Sequence, residues 1–194
     1  TEILKTRKRD LVIAPLIVFL FAMIQFSYWK TVGGSFFIDS YKTPSEGLDF
    51  LSPHTIPFLF SFKTGWFIYT PLMAIVMFYL FMRAFQGKKG MLAISIYIVV
   101  FIYLASSWTN YWYGGSFSQR AMIQAYVLLS IPLASLLSNT FFGNSLLTRR
   151  LSQFGLLSLC LLNIWQSYQF YWGVITRETM TKDYYLAAFF DTSL

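Results

Sequence analysis

The residues best able to do chemistry in this chain are gathered in Ser106 to Arg120, SSWTNYWYGGSFSQR. Gly114 and Gly115 free the backbone to turn sharply or to let a ligand approach closely, and Trp108, Tyr111, Trp112 and Tyr113 precede them. Arg120 follows at the expected start of a helix. A guanidinium there can aim a planar fork of donors at a phosphate, while the first-turn amides and the helix dipole favour the same anion. The competing reading is an arginine that snorkels to lipid headgroups. A second cation, Lys63, lies in FSFKTGWFIYTP, just ahead of Gly65. If the two segments meet, Lys63 and Arg120 form a phosphate clamp beside an aromatic wall. Such a wall suits a lipid-linked sugar, because aromatic faces stack on sugars and on isoprenoid chains. The candidate substrate-binding residues are therefore Lys63, Trp112, Tyr113, Gly114, Gly115, Gln119 and Arg120.

Acid–base candidates are fewer and less defined. Asp39, Glu46 and Asp49 are the carboxylates near this region, and His54 is the only imidazole in the chain. The run EGLDFLSPH, Glu46 to His54, holds three of the four, but its spacing defines neither a catalytic set nor a metal site, and a solvated loop is the favoured reading of it. No metal site is assigned. Cys160, the single cysteine, falls in an apolar stretch and reads as a small packing residue. Asn163, Gln166 and Gln169 recur at a spacing of three and so share one helical stripe; interhelical hydrogen bonding is one role for it and lining a cavity is another.

The elements that position these residues are membrane helices. Five uncharged apolar stretches, 11–29, 66–82, 91–108, 121–138 and 154–172, each cover roughly the 30 Å hydrocarbon core of a bilayer. Mean hydropathy is +0.54, with 56% hydrophobic and 12% charged residues. Threading the chain through the membrane puts Lys5, Arg7, Lys8, Arg9, Arg83, Lys88, Lys89, Arg149 and Arg150 on one side with Glu2 and Asp10, which is nine minus two, or +7. The other side carries six basic and six acidic residues and is neutral. Positive loops mark the cytoplasmic face, so the expected fold is an all-α integral membrane protein of about five spans in the cytoplasmic (inner) membrane, amino end inside and carboxy end outside. The pI of 9.5 then reports orientation and not nucleic-acid binding. The six tryptophans fall at or near the outer ends of spans, as interfacial aromatics do.

Outside the spans lie an outer loop, 30–65, and an outer tail, 173–194. Thr55 to Phe62 is apolar but too short to cross, which predicts an interfacial or re-entrant segment. Residues 1–194 read as a single transmembrane domain, expected to be part of a longer chain. The tail, with balanced charge followed by YYLAAFF, is expected to lie on the membrane, to fold over the loops, or to be loosely ordered.

FSFKTGWFIYTPL, Phe60 to Leu72, paired with WTNYWYGGSFSQRAMI, Trp108 to Ile123, resembles the later membrane region of bacterial GT-C-type glycosyltransferase-like proteins, relatives of the protein-mannosyltransferase group. EGLDFLSPH adds to the likeness, particularly to forms from Bacteroidetes. The resemblance implies a multi-span enzyme that takes a polyprenyl-phosphate sugar and transfers the sugar on the outer face of the membrane. It implies a phosphate-binding role for Arg120 and, less directly, for Lys63, and a divalent metal in some members. It supplies no catalytic base, because the family's essential acidic residue lies in the first outer loop of a longer amino-terminal half. The alternative is a non-catalytic integral membrane subunit whose aromatic layer and polar stripe dock a protein partner. Ion transport is disfavoured, since no ionisable residue lies inside a span.

Overall fold

The computed structural model describes residues 2–38, 46–141, 146–176 and 179–190. Among the described residues the regular structure is helical, with one isolated antiparallel bridge, Leu48 to Trp108, and no strand. Two units divide the chain, Thr1–Pro44 and Ser45–Leu194.

The first unit is built on α1, Glu2–Gly33, whose segment Pro15–Gly33 is predominantly apolar. The helix absorbs Pro15 within its length. At its end Lys30 Nζ donates to the Gly34 carbonyl at 2.9 Å, a cation on the orphan carbonyls of a helix terminus.

In the second unit the helices are α2, Thr55–Phe60; α3, Trp66–Tyr69; α4, Pro71–Phe85; α5, Lys89–Ser106; α6, Tyr126–Phe141; α7, Leu146–Tyr171; and α8, Lys182–Ala188. A 3-10 segment, Arg120–Ala125, leads into α6. α4 packs against α5, α6 and α7 and supplies Val76, Met77 and Leu80 to a core completed by Trp66, Ile98 and Leu129. Hydroxyls and amides tie the same helices: Asn139 Nδ2 donates to Tyr79 Oη at 2.7 Å, and Tyr79 Oη meets Ser135 Oγ at 2.8 Å.

Among the described residues three helices are long and apolar enough to cross a membrane: Pro15–Gly33, Lys89–Ser106 and Arg120–Phe141. The stretch 66–82, expected as one continuous span, is instead divided at Thr70. Pro71 lacks an amide hydrogen and cannot donate to the Phe67 carbonyl, and here it serves as the first residue of a new helix, α4. α4 alone has 15 residues, about 22 Å of helix. α7 is longer, but Asn163, Gln166 and Gln169 interrupt its apolar surface. The short apolar run before α3 forms α2, in line with a segment too short to cross.

The division at Pro71 explains the polar stripe of α7. Interrupting the ladder leaves the carbonyls of Ile68 and Tyr69 in need of donors, and α7 supplies them. Asn163 Nδ2 donates to Tyr69 O at 2.7 Å, and Gln166 Nε2 reaches Ile68 O at 3.5 Å and the Tyr185 hydroxyl. Gln169 Nε2 donates to Ala188 O and Phe189 O, and Trp165 Nε1 to Phe189 O, so the described part of the tail folds back on α7. Hydrogen bonding between segments is observed for all three residues of the stripe, and Asn163 also lines a cavity between α4, α6 and α7. Replacing Asn163 by leucine strands the Tyr69 carbonyl and is expected to lower stability by about 1 kcal/mol, read as a drop in the thermal unfolding midpoint in detergent. An unchanged midpoint would mean that another donor reaches that carbonyl.

Candidate functional site

The two segments singled out in the sequence meet. Gln119 Nε2 donates to Thr64 Oγ1 at 3.0 Å, and both side chains are fully buried. This contact joins the turn between α2 and α3 to the end of the loop after α5, one residue from each candidate cation. Lys63 does not stand free: its ammonium lies 3.6 Å from the centre of the Trp112 ring, a cation–π contact of about 1 kcal/mol at a half-exposed site.

Arg120 has a different setting. It is exposed and lines a groove of about 640 Å³ whose wall is formed by Phe101, Leu104 and Ala105 of α5, with Tyr113 and Ile123 beside it. Tyr113 is fixed there by donating its hydroxyl to Ala105 O at 2.8 Å. Burial pushes the phenols of Tyr111 and Tyr113 above their ordinary pKa. The helix after Arg120 opens as a 3-10 segment and not as the α-helical turn expected from the sequence. The anion-binding argument therefore rests on the guanidinium itself.

Local backbone form aims these side chains. Tyr113 and Ser118 hold φ of 51° and 54°, a region that non-glycine residues seldom occupy, and Gly114 follows at 67°. Gly65 is constrained from the other side, since a Cβ there would fall inside the Ser61 backbone. Only glycine closes the turn that carries Lys63 and Thr64. Gly115 is exposed.

The acid–base candidates are largely engaged in holding the loop. The run beginning at Glu46 lies along the start of the 106–120 segment: Thr109 N donates to Gly47 O at 2.9 Å, Asp49 N to Ser107 O at 2.7 Å and His54 N to Ser106 O at 2.8 Å. Glu46 Oε1 accepts from Asn110 Nδ2 at 2.8 Å. Asp49 Oδ1 accepts from the amides of Leu51 and Ser52, a local turn. His54 stacks on Tyr111 with ring centres 5.2 Å apart, and its Nδ1 is buried with no hydrogen-bond partner. Asp39 lies outside the described residues. Among the described residues no three His, Cys, Asp or Glu side chains gather as a metal site.

Sequence reasoning missed Thr64, Ser106 and Thr109, whose hydroxyls pin these segments together, and the α5 wall of the groove. Their one visible signal was the density of small hydroxyl residues flanking the aromatic run. Ser118 Oγ and Gln119 Oε1 are also buried without partners beside the Gln119–Thr64 contact.

Fold and site together define a helical membrane protein in which an arginine stands at an apolar groove beneath an aromatic loop. No protein-family model matches the chain, and no curated protein or solved structure is detectably similar to it.

Gly65→Ala drives a methyl group into the Ser61 backbone and is expected to lower the unfolding free energy by about 2 kcal/mol. Denaturant or thermal unfolding measures it, and a neutral result would contradict the tight closure of the turn. Trp112→Leu removes the ring under Lys63, and trypsin is then expected to cleave after Lys63 faster than in the unaltered chain.

Proposed function

We infer that this protein is a glycosyltransferase-like membrane protein that binds a polyprenyl-phosphate sugar and takes part in transferring the sugar on the outer face of the cytoplasmic membrane. In this reading the chain crosses the membrane about five times, with its amino end inside. α3 and α4 share one passage and α7 makes another. The observation that carries the reading is the placement of Arg120 on a groove walled by Phe101, Leu104, Ala105 and Ile123. A phosphate on a long hydrocarbon needs a charge-assisted donor next to an apolar surface, and this groove offers both.

The residues divide the work. Arg120 holds the phosphate, and Tyr113 forms the polar edge of the groove. Trp112 presents the aromatic face suited to a sugar and holds Lys63 near the junction of the loops. Gln119 keeps the two loops in register through Thr64. Glu46 and Asp49 each use a carboxylate oxygen to hold the loop, which ties them to the scaffold of the site.

That same engagement of Glu46 and Asp49 favours a second reading, a non-catalytic integral membrane subunit that presents a bound lipid phosphate to a protein partner. Isolation of the protein in a fixed complex that loses transfer activity when the chain is removed favours the subunit. Transfer by the isolated protein favours the enzyme.

Binding of a polyprenyl phosphate to the purified protein is expected to weaken at least tenfold in Arg120→Ala and less in Arg120→Lys, which keeps the charge without the planar fork. Tryptophan fluorescence titration would measure it, and equal affinity in all three forms would remove Arg120 from the site.

A further inference from the structure

A second groove lies away from Arg120 and shares no lining residue with the Arg120 groove. Two cavities of about 460 and 320 Å³ run along the seam of α4, α6 and α7 and share Leu72 and Leu159 as lining residues, so they form one furrow. Each volume lies within the range of small-molecule sites, about 300–1,000 Å³. One end of the furrow reaches Ser152 and Thr140, and the other reaches Thr70 and Asn163, where the chain is divided ahead of Pro71. α7 rises about 16 Å between Ser152 and Asn163, which is close to the hydrocarbon depth of one leaflet, half of roughly 30 Å.

Two features select the occupant. Gly155 opens the floor, because a Cβ placed there meets nothing within 4 Å. Arg149 stands on the same stripe of α7 as Ser152, Leu156, Leu159 and Asn163, at alternating spacings of three and four, and is exposed together with Arg150. The three helices that wall the furrow carry no acidic residue. The furrow therefore pairs an apolar trough of one-leaflet length with uncompensated positive charge at one end.

We propose that this furrow is a binding site for an anionic phospholipid, with an acyl chain along α7 between α4 and α6 and the phosphate headgroup at Arg149. The site is independent of the sugar-donor reading, since none of its residues lines the Arg120 groove. It requires only that the chain sits in a bilayer. The bound lipid fills the space left by Gly155 and fastens α7 to α4 below the contacts that Asn163 makes.

Native mass spectrometry of the intact chain, released from micelles holding equal amounts of phosphatidylglycerol and phosphatidylcholine, tests the site. The unaltered chain is expected to retain phosphatidylglycerol in about fivefold preference, the discrimination one arginine provides at a lipid surface. Arg149→Gln, an exposed change that leaves the packing intact, brings the preference to near parity while lipid is still retained. Gly155→Phe fills the furrow and removes both lipids, whereas Gly155→Ala keeps them. Circular dichroism checks that Gly155→Phe folds, and if it does not, the Arg149→Gln comparison decides alone. Equal retention of the two lipids by the unaltered chain, an unchanged preference in Arg149→Gln, or undiminished retention by folded Gly155→Phe would overturn the proposal.

Discussion

The arrangement of the candidate site depends on one buried hydrogen bond, from Gln119 Nε2 to Thr64 Oγ1. A carboxamide and a hydroxyl removed from water destabilise the fold by about 1–3 kcal/mol if left unmet, so each strongly favours the conformation in which they find each other. Satisfying this pair brings the α2–α3 turn against the loop after α5. Lys63 then falls on Trp112, and Arg120 is left at the mouth of the α5 groove. Gly65 permits the turn and Gly114 the loop, and neither position tolerates a larger residue without strain.

The same demand, that no buried polar backbone group go unpaired, accounts for the rest of the second unit. A membrane helix satisfies its own carbonyls, but Pro71 breaks that arrangement one turn below the site. Asn163 and Gln166 of α7 supply donors to the freed carbonyls, and Gln169 with Trp165 does the same for the carbonyls at the end of α8. α7 thus exchanges apolar surface for hydrogen bonds, which is why it is less apolar than the three helices of membrane-crossing character. The aromatic contacts of Tyr185 with Phe62 and Tyr69 continue this link up to the residue before Lys63.

Much of this was legible in the residues themselves. Helix class and approximate position follow from uninterrupted apolar runs, and the meeting of the Lys63 and Arg120 segments was signalled by cations, glycines and aromatics gathered in two short stretches. The break at Thr70 was not read, although Pro71 stood in plain view, because a proline inside an apolar run is compatible with either a kink or a new helix start; Pro15 and Pro132 lie inside helices. The roles of Glu46 and Asp49 were hidden for a different reason. A carboxylate that caps amides and one that could act as a base look alike until their partners, here Asn110 and the amides of Leu51 and Ser52, are placed. The 3-10 opening after Arg120 likewise depends on how tightly the preceding loop is drawn in, which no local pattern encodes.

The measurement that bears most directly on the account is photolabelling of the intact protein by a polyprenyl phosphate carrying a diazirine in the isoprene unit next to the phosphate, with the labelled residues mapped by mass spectrometry. The account predicts label on Phe101, Leu104 and Ile123, lost when unlabelled polyprenyl phosphate is added in excess and in Arg120→Ala. Label that concentrates elsewhere, or that neither competition nor the loss of Arg120 diminishes, would contradict it.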